Sequence, residues 1–291
     1  MVRDLGRESA NTRGMRFIPL SDHAGEMLRQ ARRSRAGAGK RDEERYRLAL
    51  AAYDRAISDA RERRDLAVAR WRLLSALRWG VAVWRRKRAD PPSPPADREP
   101  SRNEAALEAG AEGEREVHAA LDGALDDSWT LFKGYRNRGG EIDYLLIGPA
   151  GLFAIEVKHV NGAFRITPEQ WLYRRSDGYG NEVGDVTLLA DRGGRPPQLQ
   201  LAEPLEQLER FIAKRGQPVP WRPVVLLNHP RAKIISCANG MGAQVLTSSG
   251  QLLELVRSAD GDVGSGQVGE IGRLIERDHR FQAERRRSET R

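Results

Sequence analysis

Cysteine is almost absent from this sequence. Cys237 is the single cysteine among 291 residues, which excludes an intramolecular disulfide and a thiolate metal cluster and favours a reducing, cytoplasmic setting. The first residues, MVRDLGRESA, contain no apolar run, so the sequence predicts no signal peptide. Residues 66–84 are more apolar, but three arginines interrupt them and make this stretch a poor membrane span.

Signatures of nucleotide binding and of nucleophilic catalysis are also missing. Neither G-x(4)-G-K-[ST] nor G-x-G-x-x-G before a helix occurs, so no ATP-driven or dinucleotide-dependent activity is predicted. The five histidines lie in no nucleophile setting, which leaves Ser/His/Asp hydrolysis without support.

Acidic residues are scarce only in the first third of the chain. Residues 1–100 carry 24 Lys and Arg against 14 Asp and Glu, whereas residues 101–291 carry 25 against 27. General attraction to nucleic acid is therefore expected mainly from the N-terminal part. Arginine far outnumbers lysine, which suggests a GC-rich bacterial source.

Two apolar runs flank a turn in residues 141–158, which read EIDYLLIGPAGLFAIEVK. Pro149 and Gly151 fit positions i+1 and i+3 of a type I turn, so this stretch predicts a β-hairpin. If Gly148 and Gly151 close the turn, the pairing of all other residues in the hairpin is fixed.

This register places Asp143 opposite Glu156 and Glu141 opposite Lys158. Directly opposed like charges repel, and ionised groups at the end of a buried strand are costly unless they are paired or bind a metal. Mg²⁺, with Mn²⁺ as its substitute, prefers carboxylate oxygens together with phosphate and water. The pattern predicts that Asp143 and Glu156 hold the ion and that Lys158 reaches an attacking water or a phosphate oxygen. The alternative is a solvent-exposed hairpin end with a Glu141–Lys158 pair.

A helix is predicted from residue 103 to residue 125, and its inward stripe contains one acidic residue, Glu114. Glu112 and Glu116 project to the far side of the same helix. The rest of the stripe is made of small and apolar residues: Leu107, Gly110, Val117 and Leu121.

The array of Glu114, Asp143 and Glu156-Val157-Lys158 resembles the PD-(D/E)XK nuclease superfamily. The pattern G-x-E-G-E around Glu114 and the stretch EIDYLLIGPAGLFAIEVKHVNG are similar to the NERD domain, a nuclease-related domain found mainly in bacterial proteins. The resemblance covers about residues 103–256. It implies an α/β, restriction-endonuclease-like core with a mixed central sheet flanked by helices, metal-dependent cleavage of DNA, and support of the metal or its waters by Glu114.

Three more residues are candidates for the site. Pro204-Leu205-Glu206-Gln207 is similar to the family's P-x-x-Q element, which implies that Gln207 positions substrate or water; an exposed helix glutamine is the alternative. Arg136 and Arg138 come before Asp143 and either contact a phosphate backbone or belong to an ordinary polar turn.

Residues 25–88 contain no proline and repeat their apolar residues at spacings of three and four, which predicts a long basic amphipathic helix or a helical hairpin. Three interpretations compete: a coiled coil that makes a homo-oligomer, a basic surface for phosphates, and a helix on an anionic membrane. Self-association is preferred over membrane contact. A second interpretation of the whole chain is a nucleic-acid-binding or scaffolding protein that does not cleave.

Composition divides the chain into five parts. They are a flexible arm (1–24), the helical segment (25–88), a proline-rich linker (89–102), the nuclease-like domain (103–257), and a linker with a polar C-terminal helix or tail (258–291). Within the domain, residues 174–197 predict a long polar loop. Strands are predicted at 129–135, 164–166, 171–173, 223–227, 234–235 and 244–246.

Overall fold

The structure is a computed structural model that describes residues 14–191, 193–238 and 242–289. The chain forms two compact units. The helical unit comprises Met27–Ala105, and the sheet unit comprises the chain before Met27 and after Ala105. The helical unit is therefore an insertion within the sequence of the sheet unit.

The described residues form ten strands and six helices. The strands are β1 (Arg16–Pro19), β2 (Thr130–Arg136), β3 (Glu141–Gly148), β4 (Gly151–Val157), β5 (Ala163–Ile166), β6 (Trp171–Ser176), β7 (Glu182–Leu188), β8 (Trp221–Leu226), β9 (Lys233–Cys237) and β10 (Gln244–Leu246). The helices are α1 (His23–Ala69), α2 (Leu73–Arg88), α3 (Arg102–Asp122), α4 (Pro197–Ala213), α5 (Ser249–Arg257) and α6 (Ser265–Glu289).

The main sheet has six strands in the order β1-β2-β3-β4-β8-β10. Its centre is antiparallel from β2 to β4, and β8 and β10 continue it in parallel. Every residue of β4 is buried, as expected for a strand that helices cover on both faces. This mixed sheet confirms the predicted α/β class and fits a restriction-endonuclease-like core.

Helices cover both faces of the main sheet. On one face α3 and α5 supply Val117, Leu121, Leu252 and Val256 to a core with Leu146 and Phe153 and their neighbours. On the other face α4 and α6 pack over Phe132, Leu145 and Leu152. Helix α5 begins after Ser248, because the Ser248 side chain accepts a hydrogen bond from the Gln251 N–H and caps the helix.

The C-terminal segment is a helix, which is one of the two predicted forms, and this helix packs into the core. Val268, Ile271 and Ile275 of α6 are buried in the same cluster as α4. Asp278 is also buried and accepts a 2.5 Å hydrogen bond from the Tyr135 hydroxyl. The low overall hydropathy of α6 hid this apolar stripe, which Leu274 also joins as a partly buried residue.

A strand replaces part of the predicted N-terminal arm. Residues 1–13 lie outside the described part of the chain, but Arg16–Pro19 pairs in parallel with Thr130–Lys133 of β2. Met15 is buried beside this strand. The partner strand lies more than one hundred residues further along the chain, so local sequence carries no sign of the pairing.

A second sheet has the order β7-β6-β5-β9. Strands β5 and β6 correspond to the strands predicted at 164–166 and 171–173, and they pair antiparallel. The predicted loop at residues 174–197 was wrong in part, because β6 continues to Ser176 and β7 pairs with it. All seven residues of β7 are exposed, so this edge strand has no apolar alternation that sequence reasoning could detect.

The helical unit is an antiparallel hairpin of α1 and α2. The Tyr53 hydroxyl donates to the Ala89 carbonyl at 3.2 Å, and the Arg63 guanidinium lies 4.9 Å from the centroid of the Trp79 ring. The proline-rich segment then runs back along α1, where Arg98 pairs with Asp42 at 2.7 Å. None of the helices in the described residues is both long enough and apolar enough to cross a bilayer.

Candidate active site

The β3–β4 hairpin has the predicted register. Gly148 pairs with Gly151 and Tyr144 pairs with Ile155, so the next opposed pair is Asp143 with Glu156. Gly151 has φ +144°, a backbone conformation that favours glycine. Gly148 is required for a different reason, because a Cβ there would lie 2.2 Å from the Trp129 ring.

Asp143 stands where the hydrogen-bonded ladder of the hairpin ends. Its Oδ2 accepts a 2.7 Å hydrogen bond from the Val157 N–H, while Oδ1 forms no hydrogen bond within the described part of the chain. Asp143 is half-buried and Glu156 is buried. Burial, followed by the charges of Glu156 and Glu114, raises the pKa of Asp143 well above its usual value, against the opposing effect of Lys158.

Lys158 lies between a carboxylate and an amide. Its Nζ is 2.5 Å from Glu156 Oε1 and 3.0 Å from Gln200 Oε1. Burial disfavours the ammonium, but Glu156 and Asp143 outweigh burial, and the pKa of Lys158 is raised. The predicted Glu141–Lys158 cross-strand partnership is not formed: Lys158 follows β4 and donates its N–H to Leu226, and Glu141 pairs in register with Arg136.

Glu114 reaches the site from α3, as its inward stripe predicted. Its backbone carbonyl accepts a 2.9 Å hydrogen bond from the Tyr144 hydroxyl, which fixes α3 against β3. Its carboxylate lies 2.9 Å from Lys133 Nζ, and Lys133 also lies 3.4 Å from Asp22. Burial opposes the charge of Lys133, but Glu114 outweighs it and the pKa of this lysine is raised.

Lys133 and Gln200 are site residues that sequence reasoning missed. Lys133 did carry a signal, because it is the one charged side chain before the end of the otherwise apolar strand TLFKGYR. A lone cation in such a strand requires a buried partner, and Glu114 supplies it. Nothing local identified the partner, because the two residues come from different elements.

Residues 109–228 match the family model NERD, described as Nuclease-related domain. This chain contains a NERD domain. Glu114, Asp143, Glu156 and Lys158 all fall within the match. A search of curated proteins found no relative, and a search of solved structures found no similar structure.

Within the NERD domain, the spacing P-x-x-Q occurs twice on α4. Gln207, the predicted residue, is half-buried beside Gly139. The first copy begins at Pro197 and ends at Gln200, which touches Lys158. Gln200 is held in place because its amide donates to the Arg195 carbonyl at 2.7 Å. The two glutamines are seven residues, or about two turns, apart on one face of the helix, and the first of them contacts the Glu156–Lys158 pair.

The loop before β3 holds the two candidate phosphate contacts of the NERD domain. Arg138 is exposed. Arg136 is half-buried at the end of β2 and lowers the pKa of Glu141, although burial, Glu114 and Glu156 raise that pKa overall. Asn137 between the arginines is buried, and its amide donates to the Pro204 carbonyl at 2.8 Å. The loop is therefore anchored to α4.

The donor set of the NERD domain fits a hard cation held by two carboxylates. No group of three or more His, Cys, Asp or Glu side chains in the described ranges is arranged to hold a metal. Mg²⁺ requires less, because one or two carboxylates with phosphate and water complete its shell. Asp143 offers the oxygen Oδ1, and Glu156 lies opposite it. Glu114 is engaged with Lys133 and would act through a water.

Proposed function

We propose that this NERD domain hydrolyses phosphodiester bonds in DNA and uses Mg²⁺, or Mn²⁺, for that reaction. One observation carries the proposal: Asp143, Glu156 and Lys158 converge where β3 begins and β4 ends, in a place where the carboxylates repel each other. Burial and the charge of Glu156 raise the pKa of Asp143, as expected where carboxylates lack enough positive charge nearby. A divalent cation would supply positive charge and remove the repulsion.

Each residue has a separate task in this proposal. Asp143 and Glu156 hold the ion. Glu114 orients a water of its shell and is itself oriented by Lys133. Lys158, whose raised pKa favours the ammonium, orients the attacking water and balances negative charge on the phosphate.

When bound, the metal polarises a phosphoryl oxygen and makes a coordinated water more acidic. Gln200 holds the Lys158 ammonium in place through the 3.0 Å contact of its Oε1. Gln207, which lies beside the loop that carries Arg136 and Arg138, is proposed to contact the substrate together with these arginines. The choice of DNA over RNA follows from the family and not from the residues.

The test is cleavage of supercoiled plasmid and of single-stranded oligonucleotide, with Mg²⁺, with Mn²⁺ and with a chelator. Asp143→Asn, Glu156→Gln and Lys158→Met each keep the approximate side-chain size, and each should reduce cleavage by a factor of about 100 or more. Glu206→Gln and Lys214→Met are matched controls, because both residues are exposed on or beside α4. Metal-dependent cleavage that survives Asp143→Asn would overturn the proposal.

A NERD domain that binds nucleic acid without cutting is the second candidate. The observation in its favour is that Glu156 Oε1 and Asp143 Oδ2 are both engaged by groups of the protein itself. Retention of a labelled oligonucleotide by the wild-type chain, with no cleavage under any metal condition, would establish it. Isothermal titration with Mg²⁺ separates the two candidates further. The hydrolytic candidate requires that the wild type binds the ion and that Asp143→Asn does not, whereas the non-cleaving candidate requires no ion.

A further inference from the structure

The end of the helical hairpin exposes an unusual amount of apolar surface. Leu74 of α2 is 86% exposed, and Trp71 in the turn between α1 and α2 is 87% exposed. Leu73, Leu77 and Trp84 are exposed as well, and Val81 partly so. Contiguous exposed apolar residues of this size mark an interaction surface. We call residues 71–88 the tip surface.

These apolar residues occupy one side of α2. Leu74, Leu77, Val81 and Trp84 follow one another at spacings of three and four, which places them along one stripe. The opposite side of α2 contacts α1, since Val83 is buried and Trp79 lies under the Arg63 guanidinium. The packing of α2 against α1 therefore does not cover the exposed stripe.

Trp71 is held outward at a conformational cost. Its φ is +55°, the only positive φ of a non-glycine residue in the described chain. The surrounding bonds, from the Arg72 N–H to the Ala67 carbonyl and from the Trp71 N–H to the Val68 carbonyl, form the helix end at which glycine normally occupies this position. A bulky residue there is a genuine outlier. A strained and almost fully exposed tryptophan is better explained by an external contact than by folding.

The charge around the stripe has a single sign. Residues 66–88 contain seven Arg and Lys and no Asp or Glu. Arg78 and Arg85 line the same surface as Leu74, Leu77 and Val81, and the Arg88 guanidinium lies 5.1 Å from the Trp84 ring centroid. Apolar side chains bordered by arginines, with tryptophans at the edge, are the composition of a helix that lies in the headgroup region of an anionic bilayer.

We propose that the tip surface binds the surface of an anionic phospholipid membrane, with α2 lying in the plane of the headgroups. An orientation in which α2 spans the membrane does not fit, because α2 has 16 residues and its last four are basic. A second copy of this chain fits poorly, because a symmetric contact would place the same arginines opposite each other. Nucleic acid would satisfy the arginines and leave Leu74 and Trp71 in water. The inference is independent of the chemistry proposed for the sheet unit.

The test is flotation of the full-length protein with vesicles of phosphatidylcholine alone and with vesicles containing about 30% phosphatidylglycerol. Wild-type protein should float with the anionic vesicles only. An apolar variant, Leu74→Gln with Leu77→Gln and Trp71→Gln, should lower the partition coefficient by a factor of at least about ten. A charge variant, Arg85→Gln with Arg86→Gln and Lys87→Gln, should bind the anionic vesicles as weakly as it binds those of phosphatidylcholine alone.

Two control variants make the same kinds of substitution on α1, and the charge control also removes the same number of charges. Leu48→Gln removes an exposed leucine from α1, and Arg41→Gln with Arg55→Gln and Arg61→Gln removes three exposed charges from α1. Both should bind as the wild type does, and circular dichroism should show the same helix content in all variants. Failure of the wild type to float, or equal binding by the apolar variant, overturns the proposal. So does a dimer in solution that the apolar variant dissociates while no vesicle binding occurs, because a second copy would then occupy the tip surface.

Discussion

The Asp143 carboxylate accepts the Val157 N–H at 2.7 Å, one residue past the last paired rung of the β3–β4 hairpin. The residue proposed to hold the ion therefore also ends the hairpin. The charge of Glu156 acts on the same carboxylate. Asp143 thus has both a structural hydrogen bond and a negative charge proposed to hold the ion. A substitution that keeps the hydrogen bond and removes the charge separates the two.

Asp143→Asn should stabilise the metal-free protein. The amide oxygen can still accept the Val157 N–H, while the repulsion from Glu156 and Glu114 is removed. We expect a gain of about 1–2 kcal/mol in the free energy of unfolding, measured by urea denaturation in chelator. Asp143→Ala should gain less, because it leaves the Val157 N–H without its acceptor. If the two variants were equally stable, the hydrogen bond would have no structural role.

Lys133→Met should destabilise the protein, because it leaves the Glu114 carboxylate without its 2.9 Å partner in a largely buried position. The expected loss is about 2–3 kcal/mol. Adding Glu114→Gln should recover part of that loss, since the second change removes the unpaired charge. Lys214→Met is the matched control on an exposed lysine. Additive losses in the double variant would show that the two residues do not interact.

Gly148→Ala should cost about 2–3 kcal/mol, because the new Cβ would lie 2.2 Å from Trp129 Cε3. Combining it with Trp129→Leu should give a loss smaller than the sum of the two single losses, as the smaller side chain makes room. Gly269→Ala is the control: a Cβ there would meet nothing within 4 Å, and alanine at this exposed position of α6 should stabilise the protein by about 0.5–1 kcal/mol. Thermal unfolding of the four variants measures these differences.

His279 should make the docking of α6 sensitive to acid. Burial, with help from Arg286 and Arg136 and against Asp278 and the Leu20 carbonyl, lowers the pKa of His279 below its ordinary 6.5. The unfolded chain then binds the proton more readily than the folded one, so stability is present above pH 6.5 and is lost as the pH falls through the lowered pKa. The slope should not exceed about 1.4 kcal/mol per pH unit.

Urea denaturation at pH 5.5 and 7.5 checks this prediction for α6. His279→Gln should remove most of the acid-side loss, whereas His118→Gln, which removes a half-buried histidine from α3, should keep it. Hydrogen exchange should locate the weakened region in α6, where the Arg136 N–H donates to His279 Nδ1 at 3.2 Å. An unchanged slope in His279→Gln would mean that other groups govern the acid response.

The local parts of the site were predictable from sequence, and the long-range parts were not. The hairpin is short, and Gly148 with Gly151 fixes its register, so the opposition of Asp143 and Glu156 followed from counting residues. Glu114 followed from its place on a helical stripe. The contact between Lys158 and Gln200 did not, because the P-x-x-Q spacing occurs twice and only the packing of α4 decides which copy reaches the lysine.

The helical segment shows the same limit. Its hairpin form was one of two predictions, and the repeat of apolar residues over 25–88 predicts one continuous apolar stripe. Trp71, Leu74 and Val81 are exposed instead, because the turn after Ala69 rotates α2 relative to the pattern of α1. Periodicity identifies an apolar stripe, and it does not identify which surface covers it.

The insertion of the helical unit between β1 and α3 determines how the protein can be divided for experiment. A fragment limited to the recognised family segment, 109–228, would lose the edge strand β1 as well as β10, α5 and α6. Buried side chains such as Phe132 and Phe153 would then lose part of the cover that α6 and α5 provide. A shortened version of the protein should therefore keep β1 and the segments after β8, and the deletion should fall within the inserted helical unit, Met27–Ala105.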